Sequence, residues 1–223
     1  MSLPKKLLAG ACFICLAMSG CKSLMNSQRG AVLGSAGGGA IGAIIGNAAG
    51  NSELGAIMGA SVGGVTGEVI GKKMDTQANE MRIEVPDARV ERVGEGIVVE
   101  FKSKILFSAG AAHLSPSSRK NISQLAKVLN KYPDTNIEVR GHTDDRGKES
   151  YNQALSDKRA NAVASYLQTM GITSGRITTK GFGESMPKYT NASETGRSEN
   201  RRVEFIVSAN EKMKEEAGKE AVR

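Results

Sequence analysis

The sequence has few aromatic residues, few histidines and no long apolar run. Its 223 residues include no Trp, four Tyr and five Phe, too few for a large aromatic-lined cofactor pocket. The two histidines, His113 and His142, lie 29 residues apart, a spacing unlike that of a metal site or a catalytic triad. Asp144 and Asp145 are adjacent, so their side chains point apart in an extended segment and make no catalytic pair. We therefore predict no cofactor, no metal, no catalytic residue and no enzyme activity.

The charge balance is mildly basic. There are 30 Lys and Arg against 23 Asp and Glu, a formal net charge of +7. The basic residues are interspersed with acidic ones, as at Asp157, Lys158 and Arg159, and aromatic side chains that could stack on bases are scarce. Nucleic acid is therefore not expected as a partner.

The N-terminus has the pattern of a bacterial export signal. Lys5 and Lys6 precede eleven mostly apolar residues at 7–17. A helix of that length is about 16 Å long, roughly half of a bilayer core, which argues against a permanent transmembrane helix. We predict that residues 1–20 are a signal peptide and are removed.

Cys21 is the expected point of membrane attachment. Residues 17–21, AMSGC, resemble the lipobox of bacterial lipoproteins, with Met18 where leucine is usual. The other two cysteines lie inside the signal peptide, so Cys21 stands alone in the mature chain. The resemblance implies a lipidated N-terminus at 21–29, with Cys21 carrying fatty acids such as palmitate. An ordinary signal peptide followed by an unmodified cysteine is the alternative.

The residue after the cysteine bears on localisation. An aspartate there would resemble an inner-membrane retention signal, and this chain has Lys22. We therefore expect attachment to the outer membrane, with the globular domain in the periplasm.

A ladder of glycines follows the N-terminus. Fourteen of the 27 glycines lie between Gly30 and Gly71, and most recur every fourth residue, with one break in register at 51–53. Residues four apart share a helix face, so the pattern predicts a helical hairpin at 30–71 with a smooth stripe for close packing. It resembles the glycine-zipper segments of envelope lipoproteins, and it would embed in the membrane or pair copies of the chain as a homo-oligomer. A flexible tether is the alternative, since Glu68 interrupts the second arm.

The remaining sequence predicts one α+β domain at 88–209. A polar linker that can be helical over 78–81 is expected at 72–87, and a charged tail that can form a solvated helix at 210–223. Alternating apolar residues predict strands, and apolar residues three and four apart predict helices. The helix after Ser115 has a capping serine and Pro116 in its first turn, and the next helix ends at Gly171. The order β-β-α-β-α-β-β predicts a sheet with two helices on one face.

Four motifs in this domain resemble one family in order and spacing. They are GHTDDRG at 141–147, YNQALSDKRANAVASYL at 151–167, RITTKGFGESMP at 176–187 and GRSENRRVEF at 196–205. These motifs resemble the OmpA-like peptidoglycan-binding domain, which implies an OmpA-like β-α-β-α-β fold. With its lipobox and glycine ladder, the chain is similar to OmpA-family lipoproteins. It departs from the family at Ser108 and Ala111, where the family commonly has Asp and then Ser-Ala, so no ligand contact is carried over to that loop.

The resemblance also implies a binding site. In the family, the positions of Asp144 and Arg159 hold diaminopimelate, an amino acid of the peptidoglycan stem peptide. The chemistry fits, because a guanidinium pairs with carboxylate and a carboxylate accepts hydrogen bonds from ammonium. Thr143, Asn152 and Arg202 are expected to line or brace the pocket. An ion pair between Asp144 and Arg159 themselves is the alternative.

Two points about function stay open. Either Arg201 or Arg202 faces the pocket, because neighbours on a strand point to opposite sides. The expected function is noncovalent peptidoglycan binding that tethers the outer membrane to the cell wall. The alternative is a membrane-organising or oligomerising glycine-zipper protein in which wall binding is secondary.

Overall fold

The computed structural model describes residues 65–108 and 110–222. Helices and strands are interspersed along the chain, and some of the helices are short. In chain order they are α1 (Val65–Glu84), β1 (Arg89–Val93), β2 (Gly96–Lys102), α2 (Ser103–Leu106), α3 (Pro116–Lys131), β3 (Thr135–Gly141), α4 (Glu149–Thr169), a 3-10 turn (Ser174–Arg176), β4 (Ile177–Gly181), α5 (Glu194–Asn200), β5 (Arg202–Ala209) and α6 (Glu211–Ala221).

The strands form a five-stranded sheet in the order β1-β2-β5-β3-β4. β3 and β4 are parallel, and the other neighbours are antiparallel. The parallel pair is connected through α4, which supplies the crossover that parallel strands require. The last strand, β5, lies at the centre, where Phe205 pairs with Val99 on one side and Val139 on the other. The α+β class predicted from the sequence is confirmed.

The apolar core lies between the helices and one face of this sheet. Alternate strand residues, among them Val99, Val139 and Phe205, are fully buried in it. Leu125 of α3 and Val163 of α4 belong to the same cluster. The caps predicted for these helices are present: Ser115 Oγ accepts the N–H of Ser118 at 3.1 Å, and Gly171 adopts a φ of 90° just after α4. Local signals therefore set the ends of both helices.

Helix α1 corrects the expected linker at 72–87. Most of that segment is helical, and Ile70, Met74, Ala78 and Met81 are completely buried in the core. Their spacing of four, four and three residues makes one apolar stripe. The stripe was missed because the other faces of the helix are polar and dominate the composition. The packed part of the chain thus begins well before residue 88.

The tail at 210–223 is likewise not a solvated helix. Helix α6 buries Met213 and Ala217 in the core, and its first turn is capped by Asn210 Oδ1, which accepts the N–H of Met213 at 3.0 Å. Glu220 pairs with Lys73 of α1 at 3.5 Å. The last helix therefore holds the first described helix against the domain.

Strand β1 fixes α1 from the other side. The side chain of Arg92 is only 2% exposed, and its Nε donates to Asp75 Oδ1 at 2.9 Å. Nη1 of the same guanidinium donates to the carbonyl of Gly96. The interior position of this ion pair ties the orientation of α1 to the β1–β2 hairpin.

The N-terminal predictions lie mainly outside the described residues. These are the signal peptide at 1–20, lipidation at Cys21, the segment 21–29 and residues 30–64 of the glycine hairpin. The end of the predicted hairpin, residues 65–71, is the first part of α1, where Gly67 and Gly71 are buried. Between residues 65 and 222, wherever the structure is described, no helix combines the length and apolarity needed to cross a membrane.

Candidate functional site

The loop that carries Asp144 leaves the sheet at the end of β3. Gly141 ends β3 and pairs with Gly181 at the end of the parallel strand β4, so both following loops emerge at the same edge. The N–H of Thr143 donates to the carbonyl of Gly183 at 2.8 Å. Gly141 also packs against α4, where an added Cβ would lie 2.2 Å from the carbonyl oxygen of Ser156. A residue without a side chain is thus required for this loop to sit directly on α4.

Asn152 and Thr143 brace this loop from within. Asn152 is buried, and its Nδ2 lies within hydrogen-bond distance of the carbonyl oxygens of Asp144 (3.3 Å) and Arg146 (3.1 Å) and of Glu184 Oε2 (2.6 Å). Thr143 is 4% exposed. Asn152 thus contacts the loop through its side chain, and Thr143 contacts Gly183 through its backbone N–H.

Arg159 is held rigidly on α4, two turns after Asn152. Its Nε donates to the carbonyl of Ala111 at 3.0 Å, and its guanidinium carbon lies 5.2 Å from the centroid of the Phe107 ring. Across the described residues, Nη1 and Nη2 have no hydrogen-bond partner. Burial lowers the pKa of Arg159, and the nearby charge of Arg201 acts in the same direction, whereas Tyr151 and Asp144 act to raise it. One edge of the guanidinium is therefore anchored and the other is left for a ligand.

Asp144 pairs with Arg201. Nη1 of Arg201 binds Asp144 Oδ2, and Oδ1 accepts the N–H of Arg146 at 3.2 Å. The direct Asp144–Arg159 ion pair, the alternative left by the sequence, is not formed. Nη2 of Arg201 also binds Glu194 Oε1 at 2.9 Å. Burial acts to lower the pKa of Arg201, but Glu194 and Asp144 together raise it above its ordinary value.

Of the two arginines that the sequence left open, Arg201 lies beside Asp144, whereas Arg202 points away from it. The side chain of Arg202 is 2% exposed and lies on the other face of β5, where Nε donates to Glu204 Oε1 at 2.7 Å and Nη2 to the carbonyl of Met186 at 3.2 Å. Alternation of side chains along the chain puts Arg201 on the side of Asp144. Arg202 and Glu204 are two residues apart on β5 and therefore share a face of the sheet.

His142 also lies on that face of the sheet, with Arg202 and Glu204. It is fully buried, stacks on Phe182 with ring centroids 5.2 Å apart, and has Nε2 at 3.6 Å from Glu204 Oε2. Burial lowers the pKa of His142. Burial by itself would raise the pKa of Glu204, but His142 and Arg202 hold it well below its usual range.

The site therefore combines two guanidinium groups and one carboxylate at the junction of two loops and α4. Tyr151, 54% exposed on the first turn of α4, lies at its edge, with the hydroxyl 3.6 Å from where a Cβ of Gly110 would be. No group of three or more His, Cys, Asp or Glu able to hold a metal ion is found among residues 65–108 and 110–222. The arrangement suits a small ligand that carries both a carboxylate and an ammonium group.

Comparison with known proteins finds family models that match both the N-terminal segment and the sheet domain of this chain. The OmpA family model matches residues 106–201, and the YMGG-like Gly-zipper model matches residues 1–75. The probable lipoprotein YiaD of Escherichia coli is 35% identical over 137 residues, which span 60% of this chain and 63% of YiaD. The outer-membrane lipoprotein YfiB of Pseudomonas aeruginosa is 39% identical over 115 residues, 52% of this chain and 68% of YfiB.

A solved structure extends this similarity to the fold. The cell wall anchor of the T6SS from Pseudomonas aeruginosa superposes with a TM-score of 0.54 and 32% identity, over 61% of this chain and 97% of that one. The chain belongs to the OmpA family, with a YMGG-like Gly-zipper segment ahead of its OmpA region.

Proposed function

We propose that this protein binds peptidoglycan noncovalently and tethers the outer membrane to the cell wall. Arg159 receives the carboxylate of a diaminopimelate residue in the stem peptide, and Asp144 receives the ammonium group of the same residue. Acylated Cys21 holds the other end of the chain in the outer membrane, which leaves the OmpA domain in the periplasm.

The observation that carries this proposal is the state of Arg159. Its ring contact with Phe107 and its hydrogen bond to Ala111 fix the guanidinium, while Nη1 and Nη2 have no partner in the described part of the chain. A planar fork held in this way favours bidentate pairing with a carboxylate. Asp144 is close enough for its charge to act on the pKa of Arg159. The pair thus supplies opposite charges for the two ends of an amino-acid head group.

The comparisons support the same proposal. One similar structure is that of a cell wall anchor, and one similar relative is an outer-membrane lipoprotein. An affinity that is modest at one site suffices, because a sacculus presents many stem peptides at high local concentration. The role is structural, and we expect no soluble muropeptides after incubation with sacculi.

A sacculus pull-down with the full chain in detergent tests the proposal. Asp144→Ala and Arg159→Ala each leave a charge without its ligand partner and should lower the affinity by about tenfold or more. Asp145→Ala and Lys158→Ala are matched controls, because each removes the same charge from an exposed neighbouring position. Equal retention of all four variants and the wild type would refute the assignment of the site.

A second candidate function follows from the Gly-zipper match at residues 1–75. In that case the glycine segment organises the membrane or joins copies of the chain, and wall binding is secondary. Deleting residues 30–64 leaves Cys21 and the whole of α1 in place, so it tests the segment without opening the domain. Envelope integrity that is unchanged by the deletion favours the tether alone.

A further inference from the structure

The carboxylate proposed to receive the ligand's ammonium group already has a cationic partner. Asp144 Oδ2 pairs with Arg201, Oδ1 accepts the N–H of Arg146, and only 9% of the Asp144 side chain is exposed. A ligand ammonium group must therefore take the place of a guanidinium at Asp144.

Arg201 has a second carboxylate available farther out. Its side chain is 33% exposed, and Nη2 binds Oε1 of Glu194, whose own side chain is 57% exposed. The hydrogen bond from Arg201 is the main cause that lowers the pKa of Glu194. Arg201 thus bridges an inner carboxylate and an outer one.

We propose that Arg201 is a displaceable latch on the ammonium subsite, the part of the site in which Asp144 would bind the ammonium group of the ligand. In the empty site it neutralises Asp144, and when an ammonium-bearing ligand binds Asp144 it moves onto Glu194 alone. This inference rests on the peptidoglycan-binding function proposed above and adds the selectivity of that site.

Burial gives the physical reason for a latch. A carboxylate this far from solvent is costly when it has no partner, so Asp144 needs a counter-charge while the site is empty. Arg159 does not supply it, because its guanidinium is held by the carbonyl of Ala111 and the ring of Phe107 and forms no ion pair with Asp144. Arg201 neutralises Asp144 and leaves the outer edge of Arg159 unoccupied.

Because Asp144 and Arg159 bind different groups, the site distinguishes ligands by the charged groups that they carry. A ligand with a carboxylate alone can bind Arg159 but has no group that replaces Arg201 at Asp144. A ligand with both groups can do both. A simple dicarboxylate therefore gains no contact at Asp144, whereas the correct ligand gains that contact at the cost of part of its affinity, because the Arg201–Asp144 ion pair must break before binding is complete.

The test compares two ligands of the same carbon skeleton. Diaminopimelate and pimelate, the seven-carbon diacid without amino groups, are titrated into the full chain and followed by chemical shifts or calorimetry. Arg201→Gln removes the competitor, so it should bind diaminopimelate about three- to fivefold more tightly, the range for a partly exposed ion pair. Its affinity for pimelate should not rise.

Three further variants make the test specific. Arg197→Gln is the matched control, because Arg197 also binds Glu194, at 3.1 Å, and has no hydrogen bond or ion pair to Asp144 within the described ranges. Glu194→Gln removes the outer partner and should weaken diaminopimelate binding in the wild type but not in the Arg201→Gln background. Arg201→Lys keeps the charge and should give no gain, and thermal unfolding confirms that each variant is folded.

The outcomes separate the latch from the function. If Arg201→Gln or Arg201→Lys weakens binding of both ligands, Arg201 is itself a carboxylate-binding group and the latch is overturned, while wall binding stands. If the wild type binds neither diaminopimelate nor sacculi, the proposed function and the latch fail together.

Discussion

Arg201 and Arg202 are adjacent in the sequence, yet their guanidinium groups lie on opposite sides of the chain. Arg201 binds Asp144 in the candidate site, whereas Arg202 binds Glu204 in a buried layer on the other face of the sheet. His142, two residues before Asp144, belongs to that same buried layer. The candidate site and the buried layer are therefore linked through the backbone at 142–144 and at 201–202. A substitution in one is expected to affect the other.

Replacement of Arg159 by lysine should weaken wall binding while the charge is kept. An ammonium group has no planar fork and cannot both contact the Phe107 ring and present two N–H groups to one carboxylate. We expect sacculus affinity to fall by about tenfold, the effect of losing one charged hydrogen-bond pair. Arg119→Lys, at an exposed position over Tyr166, is the control and should bind as the wild type does. Equal affinities for both variants would show that charge alone suffices at position 159.

The free energy of unfolding should fall as the pH drops below about 6.5, the ordinary pKa of histidine. The folded-state pKa of His142 is lowered by burial, so the unfolded chain takes up a proton first and is favoured in acid. One such group contributes a slope of at most about 1.4 kcal/mol per pH unit. The depressed pKa of Glu204 adds a further loss below its ordinary value of 4.5.

Urea unfolding of the mature chain between pH 7 and pH 5 measures this effect. His142→Gln cannot titrate and should flatten the slope, whereas His113→Gln, at an exposed position, should not. A wild-type slope that His142→Gln leaves unchanged would contradict the assignment to His142.

Two glycine-to-alanine changes should shift stability in opposite directions. At Gly196 in α5, an added Cβ would lie 1.9 Å from the carbonyl oxygen of Thr190, which is backbone and cannot easily move. We expect a loss of about 2 kcal/mol or more there. At Gly218 in α6 nothing lies within 4 Å, so alanine should stabilise the helix by about 0.5–1 kcal/mol. Thermal or urea unfolding distinguishes the two, and a stable Gly196→Ala variant would show that the 190–196 loop can rearrange.

Helix α6 should contribute measurably to the stability of the domain. Met213 is 5% exposed in the core, and truncation to alanine should cost about 2–3 kcal/mol. Glu215→Ala, on the exposed face of the same helix, should change stability little. If α6 were a solvated tail, the unfolding midpoints of the two variants would coincide.

Much of the domain could be predicted from local signals. Ser115 and Pro116 predict the start of α3, and alternation predicts the central strands, because caps and periodicity depend on residues close in sequence. Helix α1 was mistaken for a linker, although Ile70, Met74 and Ala78 already form a stripe. That the stripe is buried becomes evident only when α3, α6 and the sheet are seen to pack against it.

The residues of the candidate site also differ in whether the sequence could predict them. The sequence, through its family motifs, identified Asp144 and Arg159 and the loop and helix that carry them. It could not choose between Arg201 and Arg202, because that choice depends on the register of β5 against β2 and β3, which pair with β5 from about 60 to 110 positions away in the chain.

The sequence by itself determined the family and the α+β class and predicted Asp144 and Arg159 for the site, because motif spacing, hydrophobic period and helix caps are local properties of the chain. Only the tertiary structure decided that Arg201 pairs with Asp144, that Arg202 and His142 form a separate buried layer, and that the first and last helices complete the core. Each of these depends on which distant segments become neighbours when β2 and β3 pair with β5 at the centre of the sheet.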